Sequence, residues 1–209
     1  MGGTALLLAA LILAPPARAA TAQEIIDRVL AVVAGDLIML SDVAAARDLG
    51  LVQVGSAPGT NREILTRLID RALVLAEVER YAPPEPAADE IDLELEAVRA
   101  RFPAPGAFAK ALERVGIDER HLRQTLRQDL RIATYLDQRF SVPPPSDEEL
   151  GRFYRDHPKL FTRDGALVPF DQARQDVIEA STADRRRALV EEWVAGLHRR
   201  AEIIDLYPE

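Results

Sequence analysis

Apolar positions recur along this chain with two different periods, and the change of period divides it. From Ile25 to Asp42 (IIDRVLAVVAGDLIMLSD), a β-rich run containing Val29, Leu30, Val32 and Val33 precedes a break at Ala34-Gly35-Asp36, and a second run, Leu37 to Leu40, follows it. Two such runs around a short Gly-containing break predict a β-hairpin. Ser41 is then placed to N-cap a helix from Asp42 to Leu49, its hydroxyl accepting from the free amides of the first turn. An isolated hairpin is marginally stable in water, so it needs a partner. The other good strand candidate is Glu202 to Tyr207 (EIIDLY), at the far end of the chain. The predicted fold is therefore mainly α, a multi-helix core with a small antiparallel sheet formed by the N-terminal hairpin and the C-terminal strand.

Between the two ends the apolar spacing is helical. A loop at Gly50–Gly59 leads to Thr60-Asn61-Arg62-Glu63, a capping-box pattern in which hydroxyl and carboxylate satisfy free amides reciprocally. The helix that follows runs to about Tyr81, and its apolar residues exceed one narrow stripe, so it is expected at the centre of the bundle. Pro83, Pro84 and Pro86 end it. Asp89 is read as the cap of a helix from Glu90 to Phe102, and Ala107–Val115 forms a short helix closed by Gly116. Asp118 caps a long helix to about Phe140, whose Leu122, Leu126 and Leu130 are four apart.

Ser141-Val-Pro-Pro-Pro-Ser146 is the clearest internal boundary, since three consecutive prolines join neither neighbouring helix. Ser146-Asp-Glu-Glu149 opens the next helix with a second capping box, and Pro158 ends it. A short loop from about Thr162 to Pro169 precedes a helix capped by Asp171 that can reach Arg200, either continuous and roughly 45 Å long or broken near Ser181-Thr182. Arg185-Arg186-Arg187 is assigned to the solvent face of that helix. The expected organisation is a leader at 1–19, an N-terminal lobe at 20–140, a Pro-rich linker at 141–146, and helices plus a strand at 147–209 that dock back on the first lobe.

The leader follows from Ala5 to Ala14, ten apolar residues in a row, too few to span a bilayer. Ala17 and Ala19 supply small residues at the −3 and −1 positions of a secretory cleavage site. No Lys or Arg precedes the apolar run, which departs from the usual export signal. Cleavage near Ala19 would remove Arg18 and leave 25 basic against 34 acidic side chains, a net charge of −9. The expected location is the periplasm, with no membrane span in the mature chain. The full chain carries −8, which argues against nucleic acid as a partner because phosphate binding needs a cationic surface. Cysteine is absent, which excludes disulfides, thiolate metal sites and cysteine nucleophiles.

The order of these elements resembles the SurA-type periplasmic chaperones and their parvulin-bearing relatives. The family hairpin V-A-V-V-x-x-x-x-I-x-x-S-D is matched by Leu30-Ala31-Val32-Val33, Ile38 and Ser41-Asp42. Leu65, Leu68-Ile69 and Leu73 follow the family's next helix, and Ser146-Asp147-Glu148-Glu149-Leu150 its acidic helix opening. Pro169, Phe170, Ala173, Arg174 and Val177, then Trp193 and Ala201-Glu202-Ile203, match its ending. The resemblance covers nearly the whole chain after the leader. It departs in one respect: relatives usually carry one or two parvulin isomerase domains between the segments matched here by Tyr154–Phe161 and Pro169-Phe170. Those segments are nearly contiguous here, whereas even a small independent domain needs about 40 to 60 residues.

The resemblance therefore implies an ATP-independent holding chaperone for unfolded envelope and outer-membrane proteins, without catalytic residues or a cofactor. Two alternatives remain at this point: a peptidyl-prolyl isomerase, as the family label suggests, and a dedicated assembly factor for one envelope partner. The residues themselves offer no competing chemistry. His121, His157 and His198 fall on three predicted helices without metal-ligand spacing. Asp89/Glu90 and Glu191/Glu192 read as solvated faces, and Ser41-Asp42 lacks a partner histidine. Phe102, Phe108, Phe140 and Tyr154, beside the Pro-rich turns, are candidates for a client groove, though each alone is more simply a core residue. The client-binding residues stay unknown at this level.

Overall fold

A computed structural model describes residues 27–52 and 59–208. The expected leader at 1–19, the first residues of the expected apolar run and the centre of the loop at 50–59 lie outside the described residues. Strand β1 (Val29–Val33) turns at Ala34-Gly35 into strand β2 (Asp36–Met39). Both turn residues have positive φ, +52° and +95°, as the twist of a two-residue hairpin demands. Pairs such as Val32↔Leu37 and Val33↔Asp36 set the register, with a bulge between Val29 and Ala31. Strand β5 (Ile203–Asp205) lies antiparallel on the other side of β1, pairing Val32↔Ile204, so the sheet order is β2–β1–β5. The two distant chain ends thus close one sheet, as the patterning predicts.

Seven helices complete the fold among the described residues: α1 (Leu40–Asp48), α2 (Asn61–Tyr81), α3 (Ala88–Arg99), α4 (Ala107–Val115), α5 (Glu119–Arg139), α6 (Asp147–Asp156) and α7 (Phe170–Arg200). α2 is central, packing on α1, α5, α7 and the sheet. The core forms three clusters. Leu30 and Val33 of β1 pack with Leu65 and Val78 of α2, Tyr135 of α5 and Leu197 of α7. Leu49 at the end of α1, Leu95 of α3, Leu112 of α4 and Leu122 of α5 form the second. Leu150 of α6, Phe161, and Ala173 and Val177 of α7 form the third. Each fully buried leucine contributes about 1.5–3 kcal/mol of apolar burial. α7 contributes to the first and third clusters, so this one helix ties them together.

Several local expectations are corrected. Ser41 is not the N-cap of α1: the helix begins at Leu40, and Ser41 lies in its first turn. The free amides are met instead by side chains on both sides. Asp42 accepts from the Met39 N–H at 2.7 Å, and Asp27, fourteen residues upstream, accepts from the Ser41 N–H at 3.1 Å and from the Ser41 hydroxyl. Asp89 likewise lies inside α3, where Glu90 accepts from the Ala87 N–H at 2.8 Å. α3 stops at Arg99, short of Phe102. Asp171 sits in the first turn of α7 behind Pro169. α7 itself is unbroken over 31 residues, about 46 Å at 1.5 Å per residue. Of the two forms the sequence left open the helix takes the continuous one, with Ser181 buried within it.

Arg185 and Arg186 are half-buried rather than solvated: Arg185 bonds Glu149 of α6 at 2.8 Å, and Arg186 pairs with Asp137 of α5. The capping boxes at Thr60 and Ser146, the Asp118 cap and the Gly116 stop stand as patterned. A second hairpin also occupies the segment read as a loop. β3 (Thr162–Arg163) and β4 (Ala166–Leu167) flank Asp164-Gly165, with φ of +51° and +79°.

Candidate functional site

The crossing of α2 and α5 is pinned by one arginine. Arg71 projects from α2, between Leu68 and Leu75, toward α5. Its Nε donates to Asp129 Oδ1 at 2.6 Å, and its Nη2 donates to Gln128 Oε1 at 3.0 Å and to the Thr125 carbonyl at 3.2 Å. The guanidinium thus uses its fork across one turn of α5. Burial raises the Asp129 carboxyl above the usual carboxylate range, and the charge and hydrogen bond of Arg71 pull against that rise.

Two clefts open on either side of this bridge, both bordered by Arg71 and Asp129. The first, about 480 Å³, lies between β2, α1, α2 and the N-terminal half of α5. Leu68, Ala72 and Leu75 line its α2 wall, and His121 and Thr125 stand on the α5 side. The second, about 600 Å³, is a groove between α2, the C-terminal half of α5, and α7. Val74, Ile132, Leu136, Val190 and Val194 give it an apolar lining, with Ala133 and Ala195 exposed on it. At its edge His198 Nε2 of α7 meets Asp70 Oδ1 of α2 at 2.7 Å. Arg67, Asp70, Arg71, Asp129, Glu191 and His198 add charged or titratable groups around that apolar lining.

The residues singled out from sequence do not converge on either cleft. Phe102 and Phe108 pack on each other, ring centroids 6.0 Å apart, in the second cluster. Phe140 packs on Trp193 at 5.4 Å, and Arg139 lies over both rings. Tyr154 packs on Phe161 and Phe170 while its hydroxyl donates to the Val168 carbonyl at 2.6 Å. None of the four lines either cleft. His121 borders the first cleft, His198 the second, and His157 stacks on Phe153 at the end of α6. Among the described residues no three His, Asp or Glu side chains gather as a metal site. The grooves themselves escape sequence reasoning, because Arg71, Asp129 and Val194 meet only through the helix crossing. The one local signal was an arginine between two apolar turns of α2.

This helical body, closed by a three-stranded sheet, is similar in fold to a solved SurA-like chaperone. The comparison rests on a solved structure reported with the virulence factor PEB4 and the periplasmic protein Cj1289, two structurally related SurA-like chaperones of Campylobacter jejuni. The match has a TM-score of 0.53 and 12% identity, over 86% of this chain and 99% of that one. No family model and no curated protein matches the chain. At that identity the likeness is one of fold.

Proposed function

We propose that the protein is an ATP-independent holding chaperone of the periplasm that binds unfolded envelope proteins, outer-membrane barrels among them. The observation that carries this reading is the apolar groove between α2, α5 and α7, open on a fold shared with a SurA-like chaperone. Such a groove takes apolar side chains without demanding a sequence. An affinity near micromolar, about −8 kcal/mol, delays aggregation and still permits release. The negative net charge of −8 helps keep a complex with an aggregating client in solution. In this reading residues 20–140 form the main holding lobe, 141–146 a spacer, and 147–209 the segment that returns to it.

An isomerase reading has little to support it. The segment between Phe161 and Pro169, where relatives carry the parvulin domain, holds only the β3–β4 hairpin. The test is light scattering during dilution of a urea-unfolded outer-membrane barrel. Suppression at substoichiometric to equimolar protein, without nucleotide, is expected. No suppression at several-fold excess, or turnover of a prolyl peptide above the uncatalysed rate, would overturn the proposal. One stoichiometric partner recovered from envelope extract, in place of many weak clients, would instead mark a dedicated assembly factor.

A further inference from the structure

Among the described residues β2 has no partner on its outer side, and that edge faces the first cleft. Side chains of a strand alternate between its two faces, yet three consecutive residues, Asp36, Leu37 and Ile38, line this one cleft. The strand therefore borders it edge-on. Ile38 turns into the core, whereas Leu37 is 58% exposed. A free edge offers unpaired backbone N–H and C=O groups, the template on which an extended chain can add as a strand.

The charge of the cleft is one-sided. Asp36, Asp42, Glu79 and Asp129 face a single guanidinium, Arg71, which is already held by Asp129, Gln128 and Thr125. Asp36 and Glu79 are exposed and form no ion pair among the described residues. Residues 53–58 include no Lys or Arg.

We propose that this cleft takes an extended polypeptide segment as an added strand on the edge of β2, its apolar side chains against Leu37, Leu68 and Leu75 and its lysine or arginine drawn by Asp36 and Glu79. The inference rests on the chaperone reading and deepens it, giving one cleft a binding mode and a preference for basic, apolar segments. Backbone pairing makes binding tolerant of side-chain identity, while the rim charge biases which segments arrive first.

The chain has no cysteine, so Leu37→Cys creates a unique attachment point for a photo-crosslinker in the full-length protein, and Leu93→Cys on the far-exposed face of α3 is its control. The probes are three fluorescent peptides of alternating valine and threonine: one ending in arginines, one ending in glutamates, and the arginine peptide with alternate amides N-methylated. The arginine peptide is expected to crosslink at residue 37 and not at residue 93. The glutamate and N-methylated peptides are expected to bind roughly tenfold more weakly. Asp36→Lys with Glu79→Lys, both surface changes, should reverse the charge preference. Equal binding of all three peptides, equal crosslinking at both positions, or crosslinking of the labelled Leu37→Cys variant to a second copy of itself in place of the peptide would overturn the inference. If barrel aggregation is still suppressed in that case, the edge assignment fails alone; if suppression is also missing, the chaperone reading fails with it.

Discussion

Two carboxylates at helix starts carry an acid-sensitive contribution at the scale of single residues. Glu63 accepts from the Thr60 N–H at 2.7 Å and Glu149 from the Ser146 N–H at 2.7 Å, each also taking the neighbouring hydroxyl. These backbone bonds, then the hydroxyls, hold both carboxyls below their usual 4.5. A carboxyl lowered by folding stabilises above its unfolded value, and the effect is lost as pH falls through the folded one. The double variant Glu63→Gln, Glu149→Gln should therefore lose less of its urea midpoint than wild type between about pH 5 and pH 2. An equally steep acid loss in the variant would contradict this.

Asp27 poses a second test at this scale. It accepts from both the N–H and the hydroxyl of Ser41, so Asp27→Ala should cost about 1–2 kcal/mol and Ser41→Ala distinctly less. A capping serine would give the opposite order. Chemical denaturation of the two variants decides it. The spacing of Ser41-Asp42 before an apolar run was a fair local signal for a cap. What it could not carry was a carboxylate from fourteen residues upstream, brought alongside only when β1 and β2 pair. Thr60, Ser146 and Asp118 were legible because each cap is complete within three residues.

At the scale of elements, the sheet is held by its latest strand as much as by its earliest. β5 gives β1 its second partner, and two further backbone bonds flank it: the Ala34 N–H to the Glu202 carbonyl at 3.0 Å, and the Leu206 N–H to the Leu30 carbonyl at 2.9 Å. Arg62 of α2 adds a bond to Asp205 at 2.6 Å. Deleting residues 202–209 should therefore deprotect the β1 amides in hydrogen exchange while leaving the α6 amides unchanged. Unaltered β1 protection would show that the hairpin stands without its third strand. Helix positions were legible because 3.6-residue spacing and proline stops are local properties. The β3–β4 hairpin was missed although Asp164-Gly165 is a strong two-residue turn signal, because strands of two residues carry no alternation to read. The continuity of α7 was left open by the sequence for a different reason. Ser181 and Thr182 weaken a helix in isolation, but burial of Ser181 and the ties from Arg185 and Arg186 to neighbouring helices override that local preference.

At the scale of the whole molecule, the arrangement is a set of helices around α2 that leaves working surface between them. Arg71 and Asp129 divide that surface into a mixed cleft beside the β2 edge and an apolar groove against α7. The fold class and the meeting of the two ends were readable from hydrophobic period and strand count. The surfaces were not, since the groove's walls come from residues near 70, 132 and 194 that share no sequence pattern. The most direct test of the holding role compares wild type with the double variant Ala133→Glu, Ala195→Glu, which puts two carboxylates into the apolar groove at exposed positions. Light scattering of an unfolded outer-membrane barrel should be suppressed by wild type near equimolar ratio, and the variant should need several-fold more protein for the same effect. Equal suppression by the two proteins, or none by wild type, would contradict the account.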